Sequence, residues 1–69
     1  MVPVDSSNVA ALGYDEPNQE LLVRFTNGAL YRYFPGVPRS TYESLLSADN
    51  VGRALNSLVK SSYSYSRIE

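Results

Sequence analysis

The sequence predicts an α+β domain: a three-stranded antiparallel meander followed by two short helices packed on one face of the sheet. Three observations carry this reading. Apolar residues alternate with a period of two through Glu20–Thr26 (ELLVRFT) and Ala29–Phe34 (ALYRYF). The turn signal Asn27-Gly28 separates those two runs, and after Pro38 the spacing changes to that of a helix.

The first strand is expected within Asn8–Tyr14 (NVAALGY), a weaker pattern that ends at the turn residues Asp15-Glu16-Pro17-Asn18-Gln19. The second and third strands are the two alternating runs, and Pro35-Gly36-Val37-Pro38 ends the sheet. Tyr42, Leu45 and Leu46 then recur at helical spacing. The helix is expected to begin near Pro38, which suits a first helical position, or near Ser40, where Ser40-Thr41-Tyr42-Glu43 has the form of a capping box. Val51, Leu55, Leu58 and Val59 lie on one face of a second helix, with Asp49 or Asn50 as its cap. Residues 1–7 read as an N-terminal extension of one domain spanning 1–69, and 61–69, Ser-rich, as a tail expected to fray.

The face that the tyrosines of Tyr31-Arg32-Tyr33 present depends on the hairpin register. A two-residue turn at Asn27-Gly28 places Val23 opposite Arg32 and turns an arginine into the apolar face. A three-residue loop with Gly28 in the left-handed conformation shifts pairing by one residue, and that slip inverts every side chain. Val23 then faces Tyr31, Leu21 faces Tyr33 and Phe25 faces Ala29, while Arg24 and Arg32 share the outer surface. The bulged register is preferred because it buries no unpaired arginine. Tyr14, Leu21, Val23, Phe25, Tyr31, Tyr33, Tyr42, Leu45, Leu55 and Val59 are the expected core, supported by Gly28 at the turn. Asn56 is a candidate partner for a tyrosine hydroxyl.

Composition narrows the function. With no Cys and no His among 69 residues, the chain lacks the usual nucleophiles, proton shuttles and soft metal ligands, so neither an enzyme nor a metal or cofactor site is expected. No disulfide or zinc can reinforce so small a core, which makes association with a second copy or another domain a reasonable expectation. No apolar run is long enough to span a bilayer and the N-terminus lacks a leader pattern, so a cytoplasmic location is expected. Net charge is -1, but the cations cluster. Arg24, Arg32 and Arg39 lie in an acid-free run from Leu21 to Tyr42, and Arg53, Lys60 and Arg67 in another from Asn50 to Ile68.

The candidate contact residues follow from that distribution. Arg24 and Arg32 on the open sheet face, with Phe34 for stacking among Leu22 and Leu30, form a surface suited either to RNA or to another copy of the chain. Arg53 beside Gly52 at the start of the second helix, with Lys60 further along, offers a second basic region where a small nucleotide could bind; capping by Asn50 competes with that use. Asp15 and Glu16 are read as solvated acids. Tyr63 and Tyr65 alternate with serine and could stack on bases, prolong the sheet or remain disordered.

Several of these positions resemble the KTSC domain, a small module found at the C-terminus of some lysyl-tRNA synthetases and as stand-alone bacterial and phage proteins. The resemblance runs through Ser6-Ser7, Gly13-Tyr14-Asp15, Leu21-x-Val23-x-Phe25-x-x-Gly28, Tyr31-x-Tyr33, Val37-Pro38, Tyr42-x-x-Leu45, Gly52 and Asn56. Asn50, Ala54 and the Pro35-Gly36 pair depart from the family pattern. What the resemblance implies is RNA as a possible ligand, which with the composition makes a non-catalytic RNA-binding module the leading expectation. A homo-oligomeric or protein-partner adaptor is the alternative, and a small-nucleotide binder the third reading.

Overall fold

The computed structural model describes residues 1–69 and shows a five-stranded antiparallel sheet with two helices on one face. In chain order the elements are β1 (Val2–Pro3), β2 (Val9–Asp15), β3 (Glu20–Phe25), β4 (Leu30–Phe34), α1 (Arg39–Leu46), α2 (Val51–Leu55) and β5 (Ser64–Arg67). A π-helical segment, Asn56–Lys60, continues α2. Strand order follows the chain, so β1 and β5 are the edges.

The expected meander is β2, β3 and β4, and the sheet extends beyond it on both sides. The N-terminal extension contributes β1, with Val2 opposite Leu12. The tail expected to fray contributes β5, with Tyr65 opposite Tyr33 and Arg67 opposite Tyr31. Both additions are short. What draws the tail in is its own alternation: Tyr65 and Arg67 point to the side that Tyr31 and Tyr33 occupy, and the intervening serines to the other.

The bulged hairpin register holds. Leu21 pairs with Tyr33, Val23 with Tyr31, Leu22 with Arg32 and Arg24 with Leu30. Phe25 N–H donates to Ala29 at 2.8 Å, Gly28 N–H closes the turn on Phe25 at 3.0 Å, and Gly28 adopts φ 92. The Asn27 side chain accepts from Ala29 N–H and tightens the loop. In β2 the weak alternation has a structural cause: a bulge between Val9 and Ala11 inserts an extra residue. Val9, Leu12 and Tyr14 can therefore share the inner face although the first two lie an odd number of residues apart.

The core lies between this inner face and the helices. Val9, Leu12, Leu21, Val23, Tyr33, Val37, Leu45, Val51, Leu55 and Val59 form one buried cluster. Tyr14 joins three elements, stacking on Tyr42 of α1 with centroids 5.5 Å apart and donating its hydroxyl to the Val37 carbonyl. Pro38 is the residue that precedes α1, so Ser40 lies inside the helix and the capping box does not form. Asn50 caps α2, accepting from Arg53 N–H at 3.0 Å.

Two expectations for the second helix are corrected. Leu58 is 42% exposed rather than buried. The wider π winding keeps Val59 below Leu55 on the core face and swings Leu58 outward. Asn56, expected to support the core, is exposed at the start of that segment and bonds to no tyrosine.

Gly28 sits in open space, so a methyl group there meets no neighbour and acts only through the backbone. Gly28→Ala is expected to lower unfolding free energy by about 1–2 kcal/mol in urea denaturation, with an unchanged m-value. Tyr14→Phe removes one hydrogen bond but keeps the stacked ring, and an effect of about 1 kcal/mol is expected in the same measurement.

Candidate nucleic-acid interface

The six cations of the chain divide by their partners. Arg24 pairs with Glu69 at 2.8 Å, Arg32 with Glu20 at 3.0 Å, and Arg39 with Glu16 and Glu43 at 3.1 and 3.2 Å. Arg53, Lys60 and Arg67 have no side-chain carboxylate within 4.0 Å. The positive charge left unmatched therefore belongs to the C-terminal third of the chain.

On the outer sheet face, Arg24, Arg32 and Phe34 are brought together with Leu22 and Leu30, as the register requires. Their chemistry is turned inward. Arg32 lies over the Phe34 ring at 4.7 Å while bound to Glu20, and Arg24 donates to the Gly28 carbonyl as well as to Glu69. Leu22, Leu30 and Phe34 are all half-buried, and Arg32 lies over the last of them. Both arginines of that face already have a carboxylate partner.

Arg53 does not form a cradle with the start of α2. Asn50 takes its main-chain N–H, and Asn8 packs so close to Gly52 that a Cβ there would stand 2.8 Å from the Asn8 Oδ1. The helix end is filled by the chain's own side chains. Gly52 is the residue that permits this approach.

Lys60 belongs to a different surface. Beyond the area that the helices cover, the inner face of β4 and β5 forms an open groove of about 360 Å3, lined by Phe25, Asn27, Ala29, Tyr31, Tyr33, Lys60, Tyr65 and Arg67. Its aromatic floor is continuous. Phe25 meets Tyr31 edge to face at 5.5 Å, Tyr31 meets Tyr65 at 5.7 Å, and Tyr65 meets Tyr33 at 6.0 Å. Lys60 lies over Phe25 at 5.4 Å at one end of this row. Arg67, opposite Tyr31, lies across the row, its Nε held by the Glu69 main-chain oxygen at 2.9 Å.

Of the groove residues only Lys60 was among the expected contact residues; Phe25, Tyr31 and Tyr33 were expected in the core, and Tyr65 and Arg67 belong to the tail. Composition hid them, because a Ser-rich terminus reads as tail; the period-two alternation from Tyr63 to Arg67 is the signal that finds them. Tyr31 and Tyr33 divide the two roles open to them in the sequence. Tyr33 is 2% exposed and belongs to the core, whereas Tyr31 is half-buried and lines the groove.

A small α+β domain with an antiparallel sheet backed by two helices is thus the class of protein the structure defines. The sequence profile of the KTSC domain matches residues 5–63, and the chain belongs to that family. A crystal structure of a KTSC domain protein from Yersinia pestis superposes with a TM-score of 0.87 at 31% identity, covering 97% of this chain and 93% of the other. A protein from Tsukamurella paurometabola is 47% identical over 60 residues, which is 87% of this chain and 88% of the relative. One from Stutzerimonas stutzeri is 45% identical over 69 residues, 99% of this chain and 96% of the relative. The family match ends at Tyr63, so β5 lies outside it.

Burial pushes the Tyr33 hydroxyl above its ordinary value, with smaller contributions from Tyr31 and Tyr65. The folded state therefore holds this proton more tightly than the unfolded state does. Above the unfolded value of about 10 the unfolded chain releases the proton first, and stability falls as pH rises through the folded value. Thermal midpoints measured from pH ~8 to ~11 are expected to drop more steeply for the parent than for Tyr33→Phe, and equal slopes would contradict the assignment.

Proposed function

We propose that this chain is a non-catalytic binding module that contacts single-stranded RNA through the aromatic and basic groove between β4, β5 and the end of the π-helical segment. One observation carries the reading. Two of the three cations without a side-chain carboxylate partner, Lys60 and Arg67, line the same groove as Phe25, Tyr31 and Tyr65, and no Asp or Glu side chain lines it. Aromatic rings hold unpaired bases by stacking, and flanking cations hold the phosphates between them.

This places the contact on the side of the sheet opposite to Arg24, Arg32 and Phe34. The paired state of those arginines leaves the outer face with fewer free cations for a strand of RNA than the groove has. Resemblance to a module carried by some lysyl-tRNA synthetases points in the same direction as the groove, by association alone.

Filter binding of a labelled unstructured oligoribonucleotide across a salt series tests the proposal. Two phosphate contacts to a single strand predict a slope of log affinity on log salt of about −1.4, and Lys60→Gln or Arg67→Gln should each remove about 0.7 of it. Arg24→Gln should leave both affinity and slope unchanged. Absence of binding at low salt overturns the reading.

A further inference from the structure

We infer that the groove holds a single nucleoside phosphate unit, with the base on the exposed face of Tyr65 beside Tyr31 and the phosphate between Lys60 and Arg67. The inference rests on the proposed function and specifies what that site recognises.

Size is the first argument. A volume of about 360 Å3 lies near the lower bound of ligand sites, which run from roughly 300 to 1,000 Å3. That is room for one base with its sugar and phosphate. A longer strand would have to leave the groove on either side and cross surfaces without a further exposed aromatic ring, since the exposed large apolar residues elsewhere are Met1, Val2, Leu58 and Ile68.

Ring geometry is the second. Tyr31 and Tyr65 stand 5.7 Å apart at 42°, too close and too inclined for a base to enter between them. The base must lie on the solvent side, and Tyr65, 63% exposed, presents the open ring there. Tyr31 and Phe25, set at 88° to one another, form the adjoining wall. Burying the Tyr65 ring against a flat partner would remove the largest exposed aromatic surface of the chain.

Charge and polarity are the third. Lys60 and Arg67 reach the aromatic row from different elements, one from the end of the helical segment and one from β5. A dianionic phosphate fits between such a pair better than a carboxylate with one charge. Asn27 lines the groove with its Oδ1 committed to Ala29 N–H at 3.0 Å, which leaves its amide N–H groups as donors toward a base carbonyl or a phosphate oxygen.

The same chemistry arises from a free mononucleotide or from the phosphorylated end of a strand. A titration followed by NMR of the full chain separates these sources, using adenosine 5′-monophosphate, adenosine, inorganic phosphate and a short oligoadenylate with and without a 5′-phosphate. The mononucleotide should give saturable shifts confined to Asn27, Tyr31, Lys60 and Ser64–Arg67, with adenosine and phosphate each at least about tenfold weaker. Tyr65→Ala should weaken it by about tenfold while Tyr65→Phe retains it, and Arg67→Gln, an exposed change that keeps β5, should weaken it without altering the thermal midpoint.

Preference for the 5′-phosphorylated oligomer over the mononucleotide assigns the site to a strand end, and the reverse assigns it to the free nucleotide. If both oligomers bind and the mononucleotide does not, the single-unit inference is overturned and the RNA reading stands. If the mononucleotide saturates and neither oligomer binds, the RNA reading fails and the inference holds. If nothing binds, both fail.

Discussion

The register of the β3–β4 hairpin is the constraint from which the rest of the molecule follows, and a single glycine conformation sets it. With Gly28 at φ 92 the loop takes the extra residue that puts Leu21, Val23 and Phe25 on the same side as Tyr31 and Tyr33. The opposite parity would turn Arg32 into the apolar layer, where a guanidinium without a buried partner costs several kcal/mol, on the order of what holds so small a domain folded. Helix placement follows from that choice. So does the division of the sheet into an outer face whose charges neutralise one another and an inner face with a half-covered aromatic row.

That inner face shows how little separates a core from a contact surface in a small fold. Leu21 and Val23 are sealed because α1, α2 and the π-helical segment lie over them, whereas Phe25, Tyr31 and Tyr65 extend past the last helical residues. The two short helices have no more chain with which to cover the end of β4. Tyrosine suits this boundary, since a ring can rest on apolar neighbours while its hydroxyl stays in water. Tyr33, two residues further along β4, is 2% exposed, and burial raises the pKa of its hydroxyl above the ordinary value.

Much of the fold was legible in the sequence, for identifiable reasons. Strict alternation in β3 and β4, the Asn27-Gly28 loop and the change of period after Pro38 are local signals, and each is realised in the structure. The elements that were not legible depend on partners distant in the chain. β1 is only two residues long, and the alternation of β5 sits in a Ser-rich terminus that also reads as tail; both become strands because β2 and β4 offer edges. Leu58 shows another limit: helical spacing places it on the buried face, but the switch to wider winding after Leu55 arises from packing. At the candidate site Lys60 was legible as an unmatched cation, while the pairing of Arg24 with Glu69 and of Arg32 with Glu20 required the fold to bring those residues together.

The boundary of the family match has a consequence for how this scaffold diversifies. Every residue of the buried cluster lies between Val9 and Val59, inside the matched segment, whereas Tyr65 and Arg67 stand outside it on an exposed strand. One wall of the groove can therefore vary with little penalty to folding. The helix-backed sheet is the part of the groove that the core holds fixed, and the last residues of the chain are the part that substitution can reshape without disturbing that core.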